Sequence, residues 1–243
     1  MATMIFALAF IQAFGTAMVH LLGAKAGAIL TGFFGGLVSS TATTASIARN
    51  SNTLNKADVS VEILTFLSAT TAMLFEAVAL VLAGTGEIHS SILIIFLGPI
   101  SATIIMIVFQ TRKLPNRQLQ SQDVSFEILP ILKLSIYILL ILFLSKVLQS
   151  QFGQNGLMLL TFLVSLFEIH GSVIANVQMH DYGTTTVSVL GILLATSLVA
   201  SYLSKLFLIS TLGSKEFKTK ALKSTLILFA ALFLSWLSSI AFM

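Results

Sequence analysis

The chain has no cysteine. Disulfides, thiolate metal sites and cysteine nucleophiles are therefore excluded. It is almost as poor in charge: only 9% of its 243 residues are Asp, Glu, Lys or Arg, where a soluble domain carries about a quarter. Prolines number only three, so long stretches run without a helix breaker. What fills these gaps is apolar. Hydrophobic residues make up 56% of the chain, gathered into runs of roughly 18 or more, the helical length that matches a ~30 Å hydrocarbon core. Barrel strands would alternate in segments of about ten residues, and these runs do not alternate. The expected class is an all-α integral membrane protein, with the lipid bilayer as its first partner. The net charge of +4 lies in short loops and forms no patch, so no nucleic acid is expected to bind. Met1–Leu22 lacks the basic start of a cleavable signal and reads as a retained first span.

Eight apolar segments are expected, at about 2–22, 26–48, 60–83, 91–109, 128–148, 156–177, 187–209 and 221–242. Pro99 is expected to kink the fourth, while Pro130 falls in the first turn of the fifth, where it costs little. The longest polar connection, Gln110–Phe126, divides one membrane domain, 1–243, into halves of similar layout, 1–118 and 119–243. A shift of 129 places Gly27 on Gly156, Ser39 on Glu168, Thr41 on His170 and Glu76 on Lys205. Few residues are identical. The repeat rests on segment order and on the positions of polar residues, a construction common in transporter folds.

Two topologies follow. If all eight segments cross, as two parallel repeats, the thirteen Lys and Arg residues divide evenly. Arg49, Lys56, Arg112, Lys113, Arg117 and Lys133 face Lys25, Lys146, Lys205, Lys215, Lys218, Lys220 and Lys223. If 26–48 and 156–177 instead enter and leave on one side as re-entrant hairpins, twelve basic residues share a face and only Lys146 opposes them. That asymmetry is what the positive-inside rule expects of cytoplasmic loops. Each repeat then has three spans and one hairpin, an odd number of crossings, so the two repeats are inverted. The charges favour this arrangement, although both segments are also long enough to span as kinked helices.

Polar side chains at bilayer depth persist mostly where they act. The first hairpin carries Ser39, Ser40, Thr41, Thr43 and Thr44, five hydroxyls in six residues, after Gly32, Gly35 and Gly36. The glycines read as close helix packing. The hydroxyls go beyond what packing needs and suit a polar path or an ion site. The second hairpin carries Glu168 and His170, a carboxylate and an imidazole able to bind a divalent ion or relay protons. On a regular helix, i and i+2 diverge by about 200°, so a shared task needs an unwound tip, which Gly171 permits. The bland alternative is a hydrogen-bonded or protonated Glu168 beside a packing histidine. Glu76 is a third candidate, a carboxylate without a local partner. Lys205 is expected to snorkel to the interface and not to pair with Glu76. Asn176, His180 and Asp181 read as interfacial.

The run Gly27-Ala-Ile-Leu-Thr-Gly-Phe-Phe-Gly-Gly-Leu-Val-Ser-Ser-Thr-Ala-Thr-Thr-Ala-Ser-Ile-Ala-Arg49, with the lysine at Lys205 followed by Gly213, resembles a bacterial membrane family. That family is a domain of unknown function (DUF4010) often found C-terminal to an MgtC/SapB-type domain. The resemblance covers most of the chain. It implies a bacterial inner-membrane protein with cytoplasmic basic loops, linked to magnesium-related biology through an MgtC-like partner. The chain departs from the family pattern in two places. Glu168-Ile169-His170-Gly171 stands where the family shows acidic-x-acidic-Ala, and Glu76 stands where it often has a basic residue.

The expected function is an inner-membrane transporter or channel for a cation, including a divalent one such as magnesium, or for a proton-coupled solute. Its site lies where residues 39–44 meet Glu168 and His170. No cofactor beyond a transported cation is expected, and the small size is compatible with a homodimer. The alternative is a membrane-embedded regulatory or partner subunit that moves nothing. An intramembrane enzyme is not expected, since the sequence shows no Gly-x-Ser-x-Gly and no Asp, His and Glu cluster at metal-ligand spacing.

Overall fold

The computed structural model describes residues 27–53, 59–86, 89–112 and 155–241, with isolated positions before residue 19 and residue 153. The expected fifth span with Pro130, most of the expected first span, and Lys25, Lys56, Lys113, Arg117, Lys133 and Lys146 lie outside the described residues. Among the described residues every regular element is a helix. These are α1 (Ala28–Asn50), α2 (Val59–Thr85), α3 (Ser90–Thr111), α4 (Asn155–Ser165), α5 (Ile169–Asp181), α6 (Val187–Leu212) and α7 (Lys215–Ile240). α1, α2, α3, α6 and α7 are long and apolar enough to cross a membrane. The outer faces of α3 and α7 expose Leu97, Ile105, Phe109, Phe233 and Leu234, while Glu76, His170 and Lys205 lie inside. That distribution suits a hydrocarbon solvent and not water.

Both segments singled out for their polarity are interrupted. α1 loses helical backbone at Ser39, with φ −166° and ψ 104°. Glu168, between α4 and α5, has φ −147° and ψ 103°. The two breaks fall 129 residues apart, at positions that the expected repeat would make equivalent, and share one conformation. At each, the break residue caps the helix that follows: Ala42 N–H donates to Ser39 Oγ at 3.2 Å, and His170 N–H to Glu168 Oε1 at 3.0 Å. Side-chain acceptors at this position satisfy donors the new helix cannot bond internally.

The arms on either side of each break lie side by side. A Cβ on Gly35 would sit 3.1 Å from Thr43 Oγ1, whereas eight residues of straight helix would separate them by about 12 Å. Thr161 Oγ1 donates to Asn176 Oδ1 at 3.0 Å across fifteen residues. Gly32 and Gly36 bring the first arm of α1 onto the backbone of α2, at Thr65 and Ala69 respectively. These are packing glycines, in contacts no side chain could share.

The packing is itself repeated. α1 packs on α2 and α6, and α5 on α6 and α2; α2 packs on α3 and α7, and α6 on α7 and α3. α3 and α7 pack on each other. Their register runs antiparallel. Ile95 meets Ser235 and Gly98 meets Ala231, while Met106 and Ile107 reach the cluster holding Phe217 and Ala221.

Pro99, where a kink is expected, lies inside α3, which runs through it as one helix. Proline removes the hydrogen bond that the carbonyl four residues earlier would accept. Here that carbonyl, Ile95 O, accepts from Ser235 Oγ of α7 at 2.9 Å. Ser235→Ala is expected to lower stability by about 1–3 kcal/mol by orphaning this buried acceptor. Thermal unfolding in detergent checks it, with the exposed Ser238→Ala as a neutral control. α7 also starts earlier than the apolar pattern suggested, at Lys215, because Ser214 Oγ accepts from Phe217 N–H at 3.3 Å and caps it.

Candidate functional site

Three elements converge on His170, which is 3% exposed. Its Nδ1 lies 3.0 Å from Glu168 Oε1 at the break, and its Nε2 lies 3.1 Å from Glu76 Oε2 on α2. The ring thus bridges two carboxylates from different elements. The extended backbone at Glu168 makes this local geometry: it turns a carboxylate that a regular helix would aim away from His170 back over the first turn of α5. Glu76 is 1% exposed, and neither of its oxygens makes a hydrogen bond among the described residues; Oε2 meets His170 Nε2 by proximity as an ion pair. The Glu168 side chain keeps 28% of its surface open, so the chain of three runs from an accessible carboxylate to an enclosed one. A carboxylate enclosed in an apolar core without a full set of donors is costly, which marks Glu76 as more than packing.

Two further groups belong here that sequence reasoning placed elsewhere. Lys205 is fully buried and does not snorkel. Its ammonium donates to Ser201 Oγ at 2.7 Å and approaches Met73 Sδ at 3.1 Å. The reason is length: α6 runs on to Leu212, so Lys205 sits two turns inside the helix. Asn176 is buried too, not interfacial. Besides Thr161 it reaches Ser197 Oγ at 3.5 Å, and Ser172 Oγ lies 3.2 Å from the same oxygen. The signal available was spacing by four, in 161/165, 168/172/176 and 197/201/205, which puts each set on one helix face. His180 and Asp181 do lie toward the surface, His180 Nδ1 being 2.7 Å from Thr185 O.

The hydroxyl run makes mostly local contacts. Ser40 and Thr44 are buried, Ser39, Thr41 and Thr43 partly so. Thr44 Oγ1 donates to Ser40 O at 2.7 Å, Ser39 caps its own helix, and Thr43 faces Gly35. These contacts stay within α1. α1 and α5 share α2 and α6 as neighbours, which brings the two breaks onto the same pair of helices. For a metal, the geometry of Glu168 and His170 is unhelpful: both ring nitrogens face carboxylates on opposite edges of the ring. Among the described residues no three His, Asp or Glu side chains are arranged to hold an ion.

Interrupted helices, an apolar exterior and a buried titratable chain define an α-helical membrane protein organised around an internal polar site. The chain belongs to the DUF4010 family, described as a domain of unknown function, whose profile matches residues 7–213. No curated protein and no solved structure matches it.

Proposed function

We propose that this protein is a proton-coupled transporter of the bacterial inner membrane, carrying a cation or small solute, with its site at the Glu168 break. The observation that carries the reading is the imidazole of His170 held between Glu168 and Glu76. A histidine with a carboxylate at each nitrogen can accept a proton on one edge and release it from the other. Because a carboxylate faces each nitrogen, the arrangement favours protons over a divalent metal as the species handled at His170.

We further propose that α1 and the α4–α5 pair are re-entrant hairpins of two inverted repeats. The side-by-side arms support this, as does the antiparallel packing of α3 on α7, which are equivalent in the repeat. Helices related by the repeat yet running in opposite directions suit inverted halves. With Lys205 inside the fold, eleven basic residues share one face against Lys146 in this arrangement, and that face is taken as cytoplasmic.

Single cysteines at Asn116 and Thr219, probed in cells with an impermeant maleimide, test the topology; the native chain has none to remove. Both are expected to label only after lysis. Labelling of one from outside would overturn the inverted arrangement. Transport is tested in liposomes enclosing a pH-sensitive dye, under imposed sodium, potassium and magnesium gradients. At least one gradient is expected to drive protons across. Silence under all of them would move the protein to the regulatory-subunit class.

A further inference from the structure

The ionisable groups of this site are unequally served. His170 has two carboxylates, while Lys205 has only a hydroxyl and a thioether. Among the described residues no carboxylate lies within ion-pair distance of its ammonium. A buried ammonium with two neutral partners and a spare N–H is incomplete. Register shows where its complement is. α5 and α6 pack with Ser172 on Ser197, and Met179 with Leu193, so the two helices run antiparallel. One turn before Ser172 stands Glu168, and one turn after Ser197 stands Ser201, which holds Lys205. Met73, the other partner of Lys205, lies one turn before Glu76. The ammonium therefore sits beside the carboxylate–imidazole chain without joining it.

We propose that Lys205 is the resident counter-ion of Glu168, an internal cation with which a transported cation must exchange at that carboxylate. The inference rests on the transporter reading and extends it to the return step. When a cation occupies Glu168, Lys205 stays on Ser201 and Met73. When the site empties, the ammonium swings onto Glu168, so the empty site can reorient without an uncompensated buried charge. The flexible lysine stem and the weak thioether contact permit that movement. Among the described residues, the charged or titratable groups that register brings toward it are Glu76 on α2, Glu168 and His170 at the break, and Tyr202 on α6, whose hydroxyl is also buried without a partner.

The test compares Lys205→Met and Lys205→Arg with wild type in liposomes, using sodium, rubidium and manganese(II) as labelled ions. Net uptake requires return of the empty site; exchange with the same ion on both faces does not. Lys205→Met is expected to lose about tenfold or more of net uptake while keeping exchange, and Lys205→Arg is expected to recover net uptake. Equal loss of both modes, unrescued by Arg, would make Lys205 a structural residue and overturn the proposal. A second measurement is independent of transport. Unfolding midpoints of Lys205→Met, Glu168→Gln and the double variant form a cycle. A double variant more stable than the sum of the single effects supports the pair even if no ion moves. Additive effects would sink the pairing even if transport is found.

Discussion

Gly36→Ala is expected to cost about 3 kcal/mol or more of stability, and the Gly32→Ala/Gly36→Ala pair to prevent assembly of the first interrupted helix. At Gly36 an added methyl would stand 2.5 Å from Ala69 Cα and 2.6 Å from Ala69 O. Those are backbone atoms, and no rotamer change moves them away. α1 must therefore lift off α2, and core overpacking of a milder kind already costs about 1–3 kcal/mol. Gly32 approaches Thr65 in the same way one turn earlier, so the two changes act on one interface and reinforce each other. Gly27→Ala is the control: nothing lies within 4 Å of its added methyl, and the loss at a helix start should stay below about 1 kcal/mol. Unfolding in detergent reads the difference. A Gly36→Ala protein as stable as Gly27→Ala would mean that the arm does not press on α2 as described.

Those glycines were legible because small residues four apart have few meanings inside a membrane. The breaks were legible for a related reason. Ser39 and Glu168 stand at matched places in two apolar stretches, and polarity at depth is expensive wherever it falls. What the sequence could not supply was partnership between distant residues. His170 and Glu76 lie far apart along the chain, and nothing local to Glu76 reveals the imidazole that meets it. Lys205 was misplaced for a different reason. Hydropathy located the end of its segment at 209, near enough for snorkelling, but the helix continues to Leu212 and packs over the lysine on every side. Asn176 failed in the same manner, its arm extending past 177 to Asp181 with nearly every residue buried. Apolar pattern marks where a chain can enter lipid, and not which of its polar groups neighbouring helices will enclose.

Glu168→Gln is expected to remove proton-coupled flux, by at least about a hundredfold, and to leave the fold in place. Glutamine keeps the length of the side chain and an oxygen able to accept from His170 N–H, so the cap at the break survives. The lost properties are titration and the negative charge that goes with it. Glu76→Gln probes the enclosed end of the same chain. If protons pass along the imidazole, this variant loses flux as well, although its side chain is sealed from the entrance at Glu168. If Glu76 only orients the ring, its amide can still meet Nε2, and flux should survive with altered rate. His170→Gln is the third member, and glutamine is chosen over leucine for a physical reason. Leucine would leave two carboxylates facing an apolar group, and breaking a buried pair this way costs about 3–5 kcal/mol, enough to confuse unfolding with lost transport. Wild-type flux in Glu168→Gln would remove the proton chain from the mechanism. Loss at Glu168 with full activity in both Glu76→Gln and His170→Gln would place the chemistry at the open carboxylate alone, and His170 would then serve only to hold it at the break.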